Sequence, residues 1–73
     1  MKKYQSILTI DPNQRSGKPC IRGSRITVFD ILSNLAAGMS HIQIIAEYPE
    51  ITQEDILACL EYAADREAQT LVG

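Results

Sequence analysis

Four cations, Arg15, Lys18, Arg22 and Arg25, fall close together in this chain, interleaved with Gly17, Pro19 and Gly23. A guanidinium makes a two-point match with a carboxylate or a phosphate, so this stretch has the chemistry of binding an anionic partner. Residues suited to catalysis are sparse. Cys20, His41 and Cys59 are zinc-ligand types, but no Cys-x-x-Cys or His-x-x-x-His pair is present, so no metal site is expected. Gly17-Lys18 resembles the end of a phosphate loop, yet Pro19 stands where Ser or Thr would bind magnesium and Pro12 where the first glycine should be. No second His is available to activate a Ser or Cys nucleophile, and His41, at the start of a helix, reads as an exposed neutral imidazole. The two cysteines read as small buried apolar residues. Neither catalysis nor a cofactor is expected.

These cations must be positioned by a short chain. At 73 residues it reads as one domain, 1–73, near the lower limit at which a single core suffices, which favours a partner or a homodimer. Tyr4 to Ile10 alternate loosely and precede the turn signal Asp11-Pro12-Asn13, so a first strand is expected there. It would pair with Lys18 to Ile26, making residues 1–26 a two-stranded β ribbon and basic arm. Pro19 suits an edge, Gly17 and Gly23 permit positive φ, and a turn at Gly23-Ser24 would set Arg22 beside Arg25.

Capping signals then open three helices: Thr27 with Asp30, Ser40 with Gln43, and Thr52 with Asp55. The first helix carries Val28, Ile31, Leu32, Leu35 and Ala36 on one stripe and ends at Gly38 as a C′ residue. The second turns Ile42 and Ile45 inward and stops near Tyr48, before Pro49. The third turns Ile56, Cys59, Leu60, Ala63 and Ala64 inward. The expected fold is mainly α: a trihelical bundle over 27–69 with helix-turn-helix connectivity, an N-terminal two-stranded ribbon, and a frayed tail at 70–73. Tyr48 and Tyr62 fall at the core margin or an interface, and Phe29, off its helix's apolar stripe, is the candidate dimer contact. No apolar run reaches signal-peptide or transmembrane length, so a cytoplasmic protein without a membrane partner is expected.

The run Gly17-Lys18-Pro19, then Ile21-Arg22-Gly23-Ser24-Arg25-Ile26, resembles the signature of a small bacterial family known as domain of unknown function 433. Leu35-Ala36-Ala37-Gly38 with Ser40, Glu47-Tyr48-Pro49, and Thr52-Gln53-Glu54-Asp55-Ile56 leading to Leu60-Glu61-Tyr62-Ala63 extend the resemblance over roughly residues 5 to 64. Ser24 stands where Thr is usual, and Cys20 where Val is common. The resemblance implies a homeodomain-like three-helix domain and an antitoxin paired with a PIN-like ribonuclease.

Charge divides the chain. Residues 1–26 carry Lys2, Lys3, Arg15, Lys18, Arg22 and Arg25 against Asp11, a net of +5, whereas residues 27–73 carry Arg66 against eight carboxylates, a net of −7. The third helix presents Glu54, Glu61 and Asp65 and would be repelled by phosphates, so it is rejected as a DNA-reading helix. DNA, if bound, must meet the ribbon through Lys18, Arg22 and Arg25. The same cations could instead pair with carboxylates of a neighbouring subunit. The resemblance adds a third use, in which Arg22 or Arg25 fills the carboxylate-lined metal site of the ribonuclease. The expectation is an antitoxin of a type II toxin-antitoxin pair that binds and inhibits a PIN-like ribonuclease, with DNA-binding autoregulation. The alternative is a stand-alone DNA-binding regulator that uses the basic ribbon.

Overall fold

The computed structural model describes residues 4–10, 13, 17–22 and 24–72. Arg15 and Gly23, both singled out in the sequence, lie outside the described residues. Along the chain run α1 (Tyr4–Ile7), β1 (Leu8–Thr9), β2 (Cys20–Ile21), α2 (Val28–Ala36), α3 (His41–Glu47) and α4 (Gln53–Val72). The fold is mainly helical with a two-stranded antiparallel sheet.

The expected first strand is largely replaced by a single helical turn. Tyr4, Ile7 and Leu8 have the i, i+3, i+4 spacing of a helix face, and that face docks on α4. There the Tyr4 ring meets Tyr62 edge to face at 5.4 Å, its hydroxyl donates to Asp65 Oδ2 at 2.7 Å, and its amide donates to Glu61 Oε1 at 3.2 Å. Only Leu8 and Thr9 remain extended, pairing with Ile21 and Cys20.

The expected long return strand, Lys18 to Ile26, is likewise cut to Cys20–Ile21, because the chain beyond it folds back. Ile21 N donates to Ile26 O (2.9 Å), Val28 N donates to Pro19 O (3.0 Å), and Cys20 forms a bridge with Thr27. β2 is therefore flanked by β1 on one side and by residues 26–28 on the other. Its backbone groups are satisfied inside the fold, and the edge expected from Pro19 is covered.

The three capping boxes form as the sequence indicates. Asp30 N donates to Thr27 Oγ1 while Thr27 N donates to Asp30 Oδ2, both at 3.0 Å. Ser40 with Gln43 and Thr52 with Asp55 repeat the exchange at α3 and α4. Each reciprocal pair satisfies donors that a helix start leaves open. α2 ends in a Schellman motif: Gly38 N donates to Leu35 O, Met39 N donates to Asn34 O, and Gly38 takes φ +96°. α3 stops at Tyr48, before Pro49.

The core is Ile7, Ile21, Ile26, Val28, Ile31, Ile44, Ile51, Ile56, Ala58 and Cys59. Two inward faces differ from expectation. In α3 the buried residue is Ile44, with Ile45 half-buried, while Ile42 is 80% exposed. In α4 Asp55, Ile56, Ala58 and Cys59 face inward, while Leu60 is 39% exposed and Ala64 is exposed. Burial of Asp55 as both cap and charge partner rolls the helix by part of a turn. α2 keeps its expected stripe at Val28 and Ile31, with Leu32 and Leu35 half-buried and Ala36 exposed. α4 continues to Val72, through most of the tail expected to fray. Among the described residues, no helix is long and apolar enough to cross a membrane.

Candidate protein-binding face

The cationic turn after β2 is built around Arg22. It is the one described non-glycine residue with positive φ, at 47°, a left-handed conformation costing an L-residue about 1–2 kcal/mol. The conformation aims the side chain at the start of α4. There Arg22 Nη1 lies 2.8 Å from Asp55 Oδ1 and 2.9 Å from Oδ2, donating its aligned hydrogen bond to Oδ2. The same Oδ2 accepts from Thr52 N at 2.9 Å. Asp55 is fully buried, so the guanidinium supplies the charge that makes this burial tolerable. Arg22 N also donates to Ile7 O at 2.7 Å, tying the turn to α1. One turn along α4, the buried thiol of Cys59 has its pKa pushed up to about 12, chiefly by burial and secondarily by the negative charge of Asp55.

On another part of the surface, α2 and α4 enclose an open groove of about 430 Å³. Val28 and Leu32 of α2 and Tyr62 and Ala63 of α4 supply its apolar lining, and Phe29 and Pro19 form one edge. Phe29 is 64% exposed. Each aromatic ring carries a cation: Lys18 Nζ stands 5.2 Å from the Phe29 centroid, and Arg66 Cζ stands 5.6 Å from that of Tyr62. A second hollow, lined by Leu8, Ile10, Pro19 and Tyr62 among others, shares Pro19 and Tyr62 with the first. The two hollows meet at Pro19 and Tyr62, and the first is bordered by the cations Lys18 and Arg66 together with one carboxylate, Glu67. Such a surface suits an apolar side chain flanked by a carboxylate. The Tyr4 phenol at the far edge of this surface has its pKa raised, first by its hydrogen bond to Asp65.

The structure thus separates the cations that the sequence grouped. Arg22 is turned inward to Asp55, Lys18 sits over Phe29 at the groove, and Arg25 is exposed with no hydrogen bond or ion pair among the described residues. Gly17 takes φ 78°, using the freedom expected of it, and Pro19 both lines the groove and accepts from Val28 N. Phe29 projects as its position off the apolar stripe implies. Asp55 and Leu32 were not identified as site residues, and Tyr62 only as a residue of the core margin or an interface. The signal for Asp55 was its capping-box position beside Ile56 and Cys59, where an inward helix face leaves no route to water. Tyr62 and Arg66 stand at i, i+4, a spacing that stacks a cation over a ring. Among the described residues, no group of His, Cys, Asp and Glu is placed to hold a metal ion.

These features define a small, mainly helical domain with a short antiparallel sheet and a cation-rimmed apolar groove. The chain belongs to the family described as protein of unknown function (DUF433), whose pattern it matches over residues 8–63, from β1 into α4. It is 33% identical over 69 residues to the uncharacterized protein y4eO of Sinorhizobium fredii (strain NBRC 101917 / NGR234). That match covers 94% of this chain and 30% of the relative. It is also similar to the crystal structure of a DUF433 member from Anabaena variabilis ATCC 29413, with a TM-score of 0.81 and 29% identity over 89% of this chain and 64% of that one. The chain thus spans about a third of the curated relative's length and under two thirds of the solved one's.

Proposed function

We propose that this chain is a protein-binding module: the antitoxin of a type II toxin-antitoxin pair that seats a PIN-like ribonuclease on its groove and inhibits it. The observation that carries the binding half is the exposed Phe29 beside the groove, with Lys18 stacked on its ring. A large apolar side chain held out next to a cation-rimmed hollow fits the central anchor of an interface. The ribonuclease as partner rests on the family resemblance of the sequence. Inhibition is assigned to Arg25, whose exposed guanidinium can occupy the carboxylate-lined metal site of the nuclease, whereas Arg22 is committed to Asp55. On this reading the protein is cytoplasmic and homodimeric, and α2, α3 and α4 act as a homeodomain-like trihelical unit that carries the binding turn.

The alternative, a DNA-binding regulator or DNA-binding autoregulation, would rest on Lys18, Arg25 and Arg15. The inward turn of Arg22 removes one cation from that set, and exposed Glu54 and Glu61 keep α4 unsuited to phosphate.

The test is co-purification with the product of the adjacent gene, followed by a ribonuclease assay. A stoichiometric complex that silences the nuclease is expected. Arg25→Ala should then release activity without dissolving the complex, and Phe29→Glu should dissolve it. A Phe29→Glu variant that loses self-association but keeps the nuclease would reassign Phe29 to the homodimer. Failure of any nuclease to co-purify, together with DNA affinity that falls steeply with salt, would replace this reading by the regulator.

A further inference from the structure

The outward face of α4 is not used by the groove reading. Leu57 and Leu60 are 49% and 39% exposed, and Ala64 and Ala68 continue their line along the helix. With Leu57 at 0°, rotation by about 100° per residue sets Ala64, Ala68 and Leu60 within about 60° of it, on one stripe. Glu54 and Glu61 border that stripe on one side and Glu67 on the other, all exposed. Leu57, Ala58, Glu54 and Glu61 also enclose a shallow notch of about 110 Å³. The alanines leave room for another backbone to approach, and the leucines supply apolar area.

Two occupants can cover a helix stripe of this shape: a second α4 or a helix from another protein. A second α4 would bring Glu54, Glu61 and Glu67 against the same carboxylates, a like-charge arrangement that opposes pairing. A helix with Lys or Arg beside its own apolar stripe meets both borders with opposite charge. We infer that the Leu57, Leu60, Ala64 face of α4 docks a cationic amphipathic helix of a partner protein. The inference stands independently of the ribonuclease reading, because it uses none of the groove residues except Glu67 at their shared border.

The probe is a synthetic amphipathic helical peptide, with leucine on one face and lysine on both flanks, titrated into the isotope-labelled full chain and followed by amide shifts. Shifts confined to α4, centred on Leu57, Ala58 and Glu61, are expected. Affinity should fall about tenfold in Glu54→Gln, Glu61→Gln, the loss of two solvent-exposed ion pairs. Leu57→Lys, Leu60→Lys should abolish binding, with an unchanged circular dichroism spectrum showing that the exposed positions tolerate the change. Equal binding of a peptide with glutamate in place of lysine, shifts at Phe29 and Leu32 instead of α4, or no saturable shift would each overturn the inference. Sedimentation showing a dimer that Leu57→Lys dissociates would assign the face to a second copy and overturn it as well. Loss of the nuclease complex in Phe29→Glu with intact peptide binding would separate this face from the groove.

Discussion

Replacing Arg22 with Ala removes the guanidinium from a carboxylate that has no access to water, while leaving the strained backbone in place. Breaking a pair buried on both sides costs about 3–5 kcal/mol, and breaking an exposed one about 0–1 kcal/mol. Asp55 is fully buried but the Arg22 side chain is 50% exposed, so an intermediate loss is expected, about 2–3 kcal/mol. Against a total stability of roughly 4–11 kcal/mol for 73 residues, this is a large fraction. It corresponds to a fall in Tm of roughly 10–20 °C for a domain of this size. Arg22→Gly loses the same pair but relieves the left-handed φ of 47°, so it should be more stable than Arg22→Ala by about 1 kcal/mol. The assay is urea denaturation of the wild type, both variants, Asp55→Asn and the double variant. Asp55→Asn keeps an acceptor for Thr52 N, so the coupling energy between Arg22→Ala and Asp55→Asn isolates the charge pair, at about 2 kcal/mol. A coupling below about 0.5 kcal/mol, or an alanine variant as stable as the wild type, would refute the reasoning and return Arg22 to the candidate binding residues.

Gly38→Ala should destabilise by about 1–2 kcal/mol by urea denaturation, through φ alone, because nothing lies within 4 Å of the added Cβ. The Cys59 thiol keeps its proton in the folded state up to about 12, whereas the unfolded chain releases it near 9.0, so the folded state binds more protons between these values. Stability should therefore fall as pH rises from about 9 towards 12, with a limiting slope of about 1.4 kcal/mol per pH unit that Cys59→Ala removes. The raised Tyr4 phenol acts in the same direction once the pH passes the ordinary phenol value of 10.0. Phe29→Ser should change stability by less than about 0.5 kcal/mol in thermal melts, because its ring is largely exposed, while weakening the partner complex.

The helix starts were legible in the sequence because each is written locally: Thr27, Ser40 and Thr52 each find their partner three residues on, and Gly38 and Pro49 mark two ends. Two-strandedness was legible too, but its extent was not. Tyr4 forms helix because Tyr62, Glu61 and Asp65 receive it from the far end of the chain, and no local pattern records that meeting. The inward face of α4 was misread for the same reason. Counting apolar residues favours Leu60 and Ala64, whereas the observed face follows Asp55, a carboxylate drawn inward by an arginine thirty-three positions earlier. Among the candidate site residues, Phe29 was legible as an apolar residue off the buried stripe. The division of labour among Lys18, Arg22 and Arg25 was not, because it depends on which of them faces α4.

That division bears on how the turn after β2 can act. Its first residue is fixed twice, by Arg22 N on Ile7 O and by the guanidinium on Asp55. Ser24 N then donates to Ile21 O at 2.8 Å, and Ile26 N donates to Ser24 Oγ at 3.1 Å and closes the turn. Arg25 is thus an exposed cation on a backbone already bonded on either side. A side chain presented in this way loses little backbone freedom on meeting a carboxylate partner, so more of the interaction appears as affinity. The buried pair and the exposed arginine are therefore linked parts: Arg22 holds the turn that presents Arg25. A partner contact made by Arg25 should therefore weaken in Arg22→Ala, through loss of the pair with Asp55 that fixes the turn.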